Sequence, residues 1–241
     1  MISFECDYNN GAHPKVLENL IRYNDAKPTP YGFDEFSERA KQRIREACGM
    51  PDAQIFFLTG GTQTNATTID SMLYQYEGVI CVGSGHINVH EAGAVEFTEH
   101  KIITIADNMG KMEAKTLDKY LDDFMHDGNN AHAVFPGLVY ITFPTELGTL
   151  YTAQELDQIY KVCQHYNIPL YIDGARLGYG LCPMSATLPC PIWLAIVMCS
   201  ISEAQRLVLC VARLLSLPIG RLISTSSLSR SSTGQSLPRG H

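Results

Sequence analysis

The sequence predicts an α/β fold in which a mainly parallel sheet is sandwiched by helices. Short apolar runs of strand length recur along residues 1–181, and segments with apolar residues at helical spacing lie between them. The apolar runs are nearly continuous, as expected for strands that are buried on both faces. Strands of this kind that alternate with helices are typical of a parallel sheet covered by helices on both sides.

The order of the predicted elements follows from apolar spacing and from capping residues. The second predicted helix ends at Gly49, and glycine is common at helix ends. The helix before the last strand begins with a capping box, in which Thr152 is the N-cap and Glu155 lies three residues on. In chain order we predict helix 16–24, helix 34–50, a strand and glycine turn over 55–61, helix 65–76, strands 78–84, 101–106 and 137–144, helix 152–167 and strand 168–175.

Composition and charge argue against several classes of protein. With 241 residues and 45% apolar content the chain can build a substantial core, and its net charge of −7 offers no broad basic surface for nucleic acid or anionic membranes. The N-terminus lacks a basic stretch followed by an apolar one, so we expect a cytoplasmic protein with free thiols. The eight cysteines include no CxxC pair, which argues against a zinc ribbon or a disulfide framework.

The composition changes near residue 181. Residues 1–181 contain 13 Lys and Arg, 24 Asp and Glu and 4 Ser, whereas residues 182–241 contain 5 Arg, 1 Glu and 11 Ser, with no Asp, Lys, Asn, Tyr or Phe. Charged residues average about a quarter of positions in globular domains. We therefore predict a boundary near 181. The two apolar runs of the tail, 10 and 14 residues long, are too short to span a bilayer and could be core elements.

The turn "TGGTQTN" (59–65) follows a predicted strand, where parallel sheets bind their ligands. Its backbone N–H groups, the dipole of the next helix and the Thr62 hydroxyl together suit a phosphate. A plain tight turn is the alternative. A second turn contains His86, His90 and Glu91, which could hold a metal from one helical face, although the HExxH order and a third ligand are missing. Local hydrogen bonds are the simpler explanation of these histidines.

The segment "YIDGAR" (171–176) places an acid at the end of an apolar strand, followed by two small residues and an arginine. A buried carboxylate is costly without a partner, so Asp173 requires one. The small residues leave a floor that admits a flat ring, and the Arg176 guanidinium is within reach. The alternatives within the protein are an ion pair between Asp173 and Arg176 or the capping of a helix.

These three turns, "GGTQTN", "HINVHE" and "DGAR", resemble in order and spacing those of the threonine aldolase and β-eliminating lyase family, pyridoxal-phosphate (PLP) enzymes with the aspartate aminotransferase fold. The resemblance covers residues 1 to about 181 and includes "YGFDEFSERAKQRIREACG" and "FPTELGTLYT". It implies the large PLP-binding domain of the fold type I transferases, without the small C-terminal domain. It also implies small amino acid substrates and homodimers or homotetramers with sites at subunit interfaces.

The resemblance also implies roles for individual residues. By position, Gly61, Thr62 and Asn65 fall in the phosphate turn, His86 matches the histidine that stacks on the pyridine ring, Asp173 matches the carboxylate that pairs with the ring nitrogen, and Arg176 matches the arginine that holds the substrate carboxylate. The implied reaction cleaves the Cα–Cβ bond of a β-hydroxy amino acid such as threonine, with the cofactor as electron sink. His86, His90 or a water are candidates for the base that accepts the β-hydroxyl proton. The N-terminal "CDYNNGAHP" departs from the family pattern, which puts substrate contacts from this segment in doubt.

One part of the family pattern is missing. The family holds PLP as a Schiff base with a lysine some thirty residues beyond the aspartate, and no lysine follows Lys161 in this chain. When residues 202–213 are back-translated and read one nucleotide earlier, they give "GGTKVGALCGE", the lysine loop of the family. The same shift turns residues 230–235 into "KQHGA", and residues 199–202 can give "VFYI". We hypothesise a frameshift near codon 182, which makes residues 182–241 an out-of-frame tail, non-native or poorly ordered.

Three functions follow as hypotheses. The first is a PLP-dependent lyase by descent whose activity is impaired in this chain, with PLP bound without a covalent link. The second is a non-catalytic module that binds the cofactor or a partner subunit. The third is a metal-dependent hydrolase that uses His86, His90 and Glu91. The sequence does not distinguish threonine from related substrates or settle the stereochemistry.

Overall fold

The structure is a computed structural model, and it describes residues 12–181, 196–201 and 207–212. The segment that contains Cys6 and Asp7, and the rest of the tail, lie outside the described residues. The helices of the described part are α1 (Pro14–Arg22), α2 (Glu35–Cys48), α3 (Gly61–Met72), α4 (His86–Val89), α5 (Ala114–His126), α6 (Ala153–His165) and α7 (Leu177–Leu181). Its strands are β1 (Gln54–Leu58), β2 (Glu77–Val82), β3 (Ile102–Ile105), β4 (Phe135–Thr142), β5 (Leu170–Asp173), β6 (Ile196–Ile201) and β7 (Leu207–Ala212).

The strands form one seven-stranded sheet in the order β1-β7-β6-β5-β4-β2-β3. Strands β2 to β6 are parallel to one another, whereas β7 runs antiparallel to both β1 and β6. Strand β1 therefore points the same way as β2 to β6. The predicted α/β class with a mainly parallel sheet is confirmed, and the carboxyl ends of six strands meet at one edge.

Helices cover both faces of this sheet. On one face, α5 and α6 place Leu117, Leu121 and Ile159 against the sheet residues Ile80 and Val139, which are all buried. On the other face, Ile69 of α3 and Ile87 of α4 pack with Cys81, Tyr140 and Tyr171. Successive residues of a strand point to opposite faces, so neighbouring positions of β2 and β4 enter different clusters. Side chains buried on both faces explain the continuous apolar runs of these strands.

Capping residues define several helix boundaries as predicted. Helix α2 ends at Gly49, which adopts the left-handed conformation with φ 65°. Helix α6 begins with the predicted capping box, in which Thr152 accepts from the Glu155 N–H and the Glu155 side chain accepts from the Thr152 N–H. Helix α3 starts at Gly61 rather than at the predicted residue 65, because the glycine turn is itself the first turn of the helix. Helix α5 was not among the predicted elements.

Two strands lie in the segment that the composition separates from the rest. Strand β6 pairs in parallel with β5, where Met198 is opposite Asp173. Strand β7 lies between β6 and β1 and pairs with both along its length. These strands fall inside the two apolar runs of the tail, so both runs supply backbone pairing to the sheet.

Candidate functional site

The residues that were predicted to bind a ligand meet at the carboxyl edge of the sheet. Strand β1 leads into Gly60, β2 leads through a short turn to His86, and β5 ends at Asp173. Ligand atoms of His86, Glu91 and Asp173 lie within 4.8 Å of one another. Side chains from the segments that follow β2 and β5 therefore lie together at this edge of the sheet.

The Asp173 side chain is buried, with 2% of the residue exposed, and it is held by neutral donors. The Tyr140 hydroxyl donates to Oδ2 at 2.7 Å, the Asn65 amide donates to the same oxygen at 3.1 Å, and the Ala175 N–H donates to Oδ1 at 3.0 Å. Burial, followed by the charge of Asp173, raises the pKa of Tyr140 well above its usual range, so this phenol stays protonated and donates. The carboxylate charge of Asp173 thus has several dipoles directed at it.

Asn65 links the two buried acids of the site. Its Nδ2 donates to Glu91 Oε1 at 2.5 Å and to Asp173 Oδ2 at 3.1 Å, and its Oδ1 accepts from the Tyr171 hydroxyl at 2.6 Å. Carboxylates only accept hydrogen bonds, so these partners determine which end of the amide carries the nitrogen. Asn65 is 1% exposed. Its side chain therefore lies at the carboxylates, not at the first turn of α3, where a phosphate was expected.

The His86 imidazole is hydrogen-bonded to the Glu91 carboxyl group. Its Nδ1 lies 2.7 Å from Glu91 Oε1, and the Glu91 side chain is fully buried while 32% of the His86 side chain is exposed. The hydrogen bond to Glu91 raises the pKa of His86, and the charges of Glu146 and Asp173 act in the same direction. Burial opposes this shift but does not cancel it. The imidazole is thus favoured as a cation beside an acid.

The close turn before His86 depends on Gly85. A Cβ added at this glycine would lie 3.0 Å from the carbonyl oxygen of Val82 and 3.4 Å from Cys81. The Gly85 N–H donates to the same Val82 carbonyl at 2.8 Å. The tight turn brings the first residue of α4 back onto the end of β2, which is what places His86 at the sheet edge.

The N-terminus of α3 carries no side-chain cap. The N-cap residue Gly60 has no side chain to cap the helix, so the first backbone N–H groups remain available to a ligand. A Cβ added at Gly60 or Gly61 would meet no atom within 4 Å among the described residues, so there is open space beside this turn. Thr62 is exposed in the first turn of the helix.

His90 and Arg176 lie at the margin of this cluster. The His90 ring is exposed, and its centroid lies 5.4 Å from that of His86. Arg176 is half-buried in the turn that precedes α7, and its carbonyl accepts from the Tyr179 N–H at 3.0 Å. In the described part, the group that could hold a metal therefore contains Asp173 in place of His90.

The contacts within the cluster favour a hydrogen-bonded network over a metal site. The Asn65 Nδ2 group, a donor, lies against both carboxylates. The Nδ1 atom of His86 is already engaged with Glu91 Oε1. A cation at this position would need ligand oxygens that face a common space, and here one oxygen of each acid faces an N–H group.

The same donor set fits a flat cationic ring. A buried carboxylate surrounded by neutral dipoles suits the protonated nitrogen of a pyridine ring, and an uncapped helix N-terminus suits a phosphate.

The lysine that would anchor PLP covalently is a separate question from the fit of the ring and the phosphate. Four lysines of the described chain are paired with acids on helices or at a distant loop: Lys41 with Glu38, Lys111 with Glu155, Lys119 with Asp123 and Lys161 with Asp157.

Sequence reasoning missed three residues that surround the site. Tyr140 and Tyr171 sit inside apolar strands and resemble core residues, although Tyr171 precedes Asp173 by two positions and so shares its face of the sheet. Glu146 lies beyond the end of β4, and its Oε1 is buried without a hydrogen-bond partner among the described residues. The strand period of two was the signal that could have identified the tyrosines.

Comparison with known proteins agrees with the geometry. The family model for beta-eliminating lyases matches residues 22–226, a range that includes β6 and β7. A low specificity L-threonine aldolase from a Pseudomonas species is 28% identical over 177 residues, which are 73% of this chain and 50% of that protein. A probable low-specificity L-threonine aldolase from Schizosaccharomyces pombe is 27% identical over 195 residues, 80% of this chain and 48% of the relative.

A solved threonine aldolase from Leishmania major superposes with a TM-score of 0.81 at 31% identity, covering 93% of this chain and 65% of the other.

The chain spans about half the length of the two curated relatives from Pseudomonas and Schizosaccharomyces pombe. No helix among the described residues has the length and apolar character needed to cross a membrane. The fold is that of the fold type I PLP enzymes, and the chain belongs to the beta-eliminating lyase family, a family of PLP-dependent enzymes.

Proposed function

We propose that the site binds PLP, and that the reaction of its lineage is the cleavage of a β-hydroxy amino acid such as threonine into glycine and an aldehyde. The observation that carries this proposal is the buried Asp173 carboxylate at the carboxyl end of β5, with Tyr140 and Asn65 donating to it and His86 beside it. The names of the relatives, which are threonine aldolases, support the substrate class.

The residues of the chain would divide the work as follows. Asp173 pairs with the ring nitrogen, and a charge pair at about 4 Å is worth up to ~4 kcal/mol at an effective dielectric constant near 20. The N–H groups of Gly61 and Thr62 at the start of α3 would hold the phosphate, and the His86 imidazole would contact the ring. When bound, PLP supplies the electron sink for carbon–carbon cleavage.

We further propose that this chain has little or no aldolase activity, because the lysine that anchors the cofactor is missing after Lys161. The hidden lysine codon straddles Gln205 and Arg206, between β6 and β7. Strand β6 pairs with β5 beside Asp173, which supports a lysine from this loop as the ancestral anchor. Sequencing of the encoding DNA tests the frameshift, since codons that are incompatible with the shifted reading end it.

Titration of the full chain with PLP tests the site itself. We expect reversible binding, followed by absorbance, and a loss of about tenfold to a hundredfold in affinity for Asp173→Asn, since hydrogen bonds to charged groups contribute about 1.5–3 kcal/mol. The exposed residue Asp123 provides the matched control, because Asp123→Asn makes the same chemical change outside the site. Equal PLP affinity of the two variants would show that Asp173 does not contribute to PLP binding.

Borohydride reduction followed by peptide mapping tests the absence of a covalent anchor. We expect no reducible adduct between PLP and a lysine in the pocket. An adduct at a lysine in the pocket would contradict the proposed inactivity while leaving the binding site in place. Assays of a frame-corrected gene with threonine, allo-threonine and phenylserine then identify the substrate of the lineage.

A further inference from the structure

Glu91 is a carboxyl group buried beside the candidate site. Its side chain is fully buried, and its Oε2 has no hydrogen-bond partner in the part of the chain that the structure describes. A buried carboxylate costs free energy unless its partners compensate it. An apolar side chain at this position would avoid that cost. We therefore expect a role that needs the carboxyl group of Glu91.

Both known partners of Glu91 belong to the proposed binding site. Its Oε1 accepts from His86 Nδ1 at 2.7 Å and from Asn65 Nδ2 at 2.5 Å. The same Asn65 nitrogen also donates to Asp173 Oδ2 at 3.1 Å. One oxygen of Glu91 thus connects the residue proposed to lie against the ring with the residue proposed to pair with the ring nitrogen.

We propose that Glu91 is a positioning residue of the site, which orients the His86 imidazole through Nδ1 and the Asn65 amide through Nδ2. The bond to Nδ1 requires a proton on that atom, because a carboxylate only accepts. It leaves Nε2 as the ring nitrogen available to a ligand. One oxygen accepts from both donors, and the carboxylate adds a negative charge that the carbonyl oxygen of a glutamine, which could accept the same two bonds, would not supply.

Three acids surround His86, and they differ in how they act on it. Glu91 is in direct contact, while Glu146, beyond β4, and Asp173, at the end of β5, act through their charges. Direct contact specifies a direction for the ring as well as a charge. Of the three, Glu91 is therefore the acid whose replacement should change both the protonation and the orientation of the imidazole.

The first test is the side-chain NMR spectrum of His86 in the full chain without cofactor. We expect Glu91→Gln, which keeps an acceptor oxygen but loses the charge, to lower the titration midpoint of His86, and Glu91→Leu, which removes the acceptor, also to move the proton of the neutral ring from Nδ1 toward Nε2. Glu91→Asp, which keeps the charge, should retain most of the wild-type midpoint. The exposed residue Glu96 provides the control for charge, because Glu96→Gln should leave the spectrum of His86 unchanged.

The second test is PLP affinity, and this part depends on the proposed function. We expect Glu91→Gln to weaken PLP binding by about tenfold, in line with the loss of one charge-assisted hydrogen bond, and Glu96→Gln to have no effect. Circular dichroism of each variant establishes that the fold is retained. If Glu91→Gln does not fold, Glu91→Asp tests the geometry instead, because it keeps the charge but withdraws the oxygen from Nδ1 and Nδ2, so PLP affinity should fall while the His86 midpoint changes little.

The two tests distinguish a failure of the positioning role of Glu91 from a failure of the proposed PLP site. If the His86 spectrum of Glu91→Leu equals that of the wild type, the positioning role is wrong. If the spectrum changes as expected but neither wild type nor variant binds PLP, the positioning role stands and the proposed cofactor site is overturned. If PLP binds and the affinities of wild type and Glu91→Gln are equal, Glu91 does not position the site for this ligand.

Discussion

The two sides of the sheet are built differently. Strands β2 and β5 are buried at every position, and β4 is buried at all positions but its first. On the other side, β1 has one buried residue, Ile55, within the strand, and it pairs with β7. The side chains of β2 to β5 pack with the helices in two apolar clusters, which Ile55 and Leu58 of β1 also contact, whereas the backbone of β1 is connected to the sheet through β7 and β6, the strands of the tail.

This difference matters because the candidate site draws on both sides. His86, Glu91 and Asp173 belong to the β2–β5 side, while the phosphate turn at Gly60 follows β1. Helix α3 connects the two, because it starts at that turn and buries Ile69 against the β2–β5 side. Substitutions within the tail should therefore disturb the phosphate turn more than the ring-binding residues, whereas loss of the whole tail should affect both.

Removal of the tail is the strongest test of this comparison. A chain that ends at residue 181 loses β6 and β7, so β5 becomes an unpaired edge and β1 has no strand beside it. We expect the loss to be comparable to the whole stability of a domain, about 5–15 kcal/mol. Thermal unfolding followed by circular dichroism should then show no cooperative transition, and light scattering should show aggregation through the free edge.

One outcome of this truncation would contradict the comparison between the two sides of the sheet. If the shortened chain unfolds cooperatively at nearly the temperature of the full chain, then β6 and β7 contribute little and the pairing of β1 is dispensable. Such a result would show that neither side of the sheet needs the tail for its stability. The phosphate turn would then not depend on the tail.

A pair of core substitutions compares the two sides directly. Ile80 of β2 is fully buried, and we expect Ile80→Ala to lower the free energy of unfolding by about 2–5 kcal/mol through lost burial and a cavity. Leu58 of β1 is half-buried, so Leu58→Ala should cost about 1–2 kcal/mol. Urea unfolding of the full chain measures both. A larger cost at Leu58 would reverse the comparison.

A glycine substitution gives a smaller effect on the buried side. A Cβ at Gly78 of β2 would lie 2.6 Å from the Lys101 carbonyl oxygen, a backbone atom that cannot rotate away. We expect Gly78→Ala to cost about 1–3 kcal/mol of unfolding free energy. Gly128 provides the control, because no atom lies within 4 Å of its added Cβ and Gly128→Ala should be close to neutral. Equal unfolding midpoints for the two variants would contradict close packing at β2.

Much of the fold could be predicted because it depends on local patterns. The predicted strands over 78–84 and 137–144 and the capping box at Thr152 rest on apolar runs and on residues close in sequence. The direction of β7 depends on which strands lie beside it, and no local pattern specifies that. The start of α3 was placed too late because glycines, which usually interrupt helices, here form its first turn.

The site was predictable only where a strand ends. Asp173 and His86 follow apolar strands, and that position singles them out. The partners of Asp173 are distant in the chain, since Asn65 lies 108 residues away and Tyr140 lies 33 residues away. Spacing could suggest Glu91 only as a metal ligand, because its contact with Asn65 spans 26 residues and appears only once the sheet has formed.

The single amide nitrogen that serves two acids has an evolutionary consequence. A relative that loses the acid at position 91 leaves Asn65 with a donor to satisfy, and a relative that changes Asn65 leaves two anions facing each other across the gap. Positions 65, 91 and 173 should therefore be inherited as a set, and an alignment of relatives should show them substituted together or not at all.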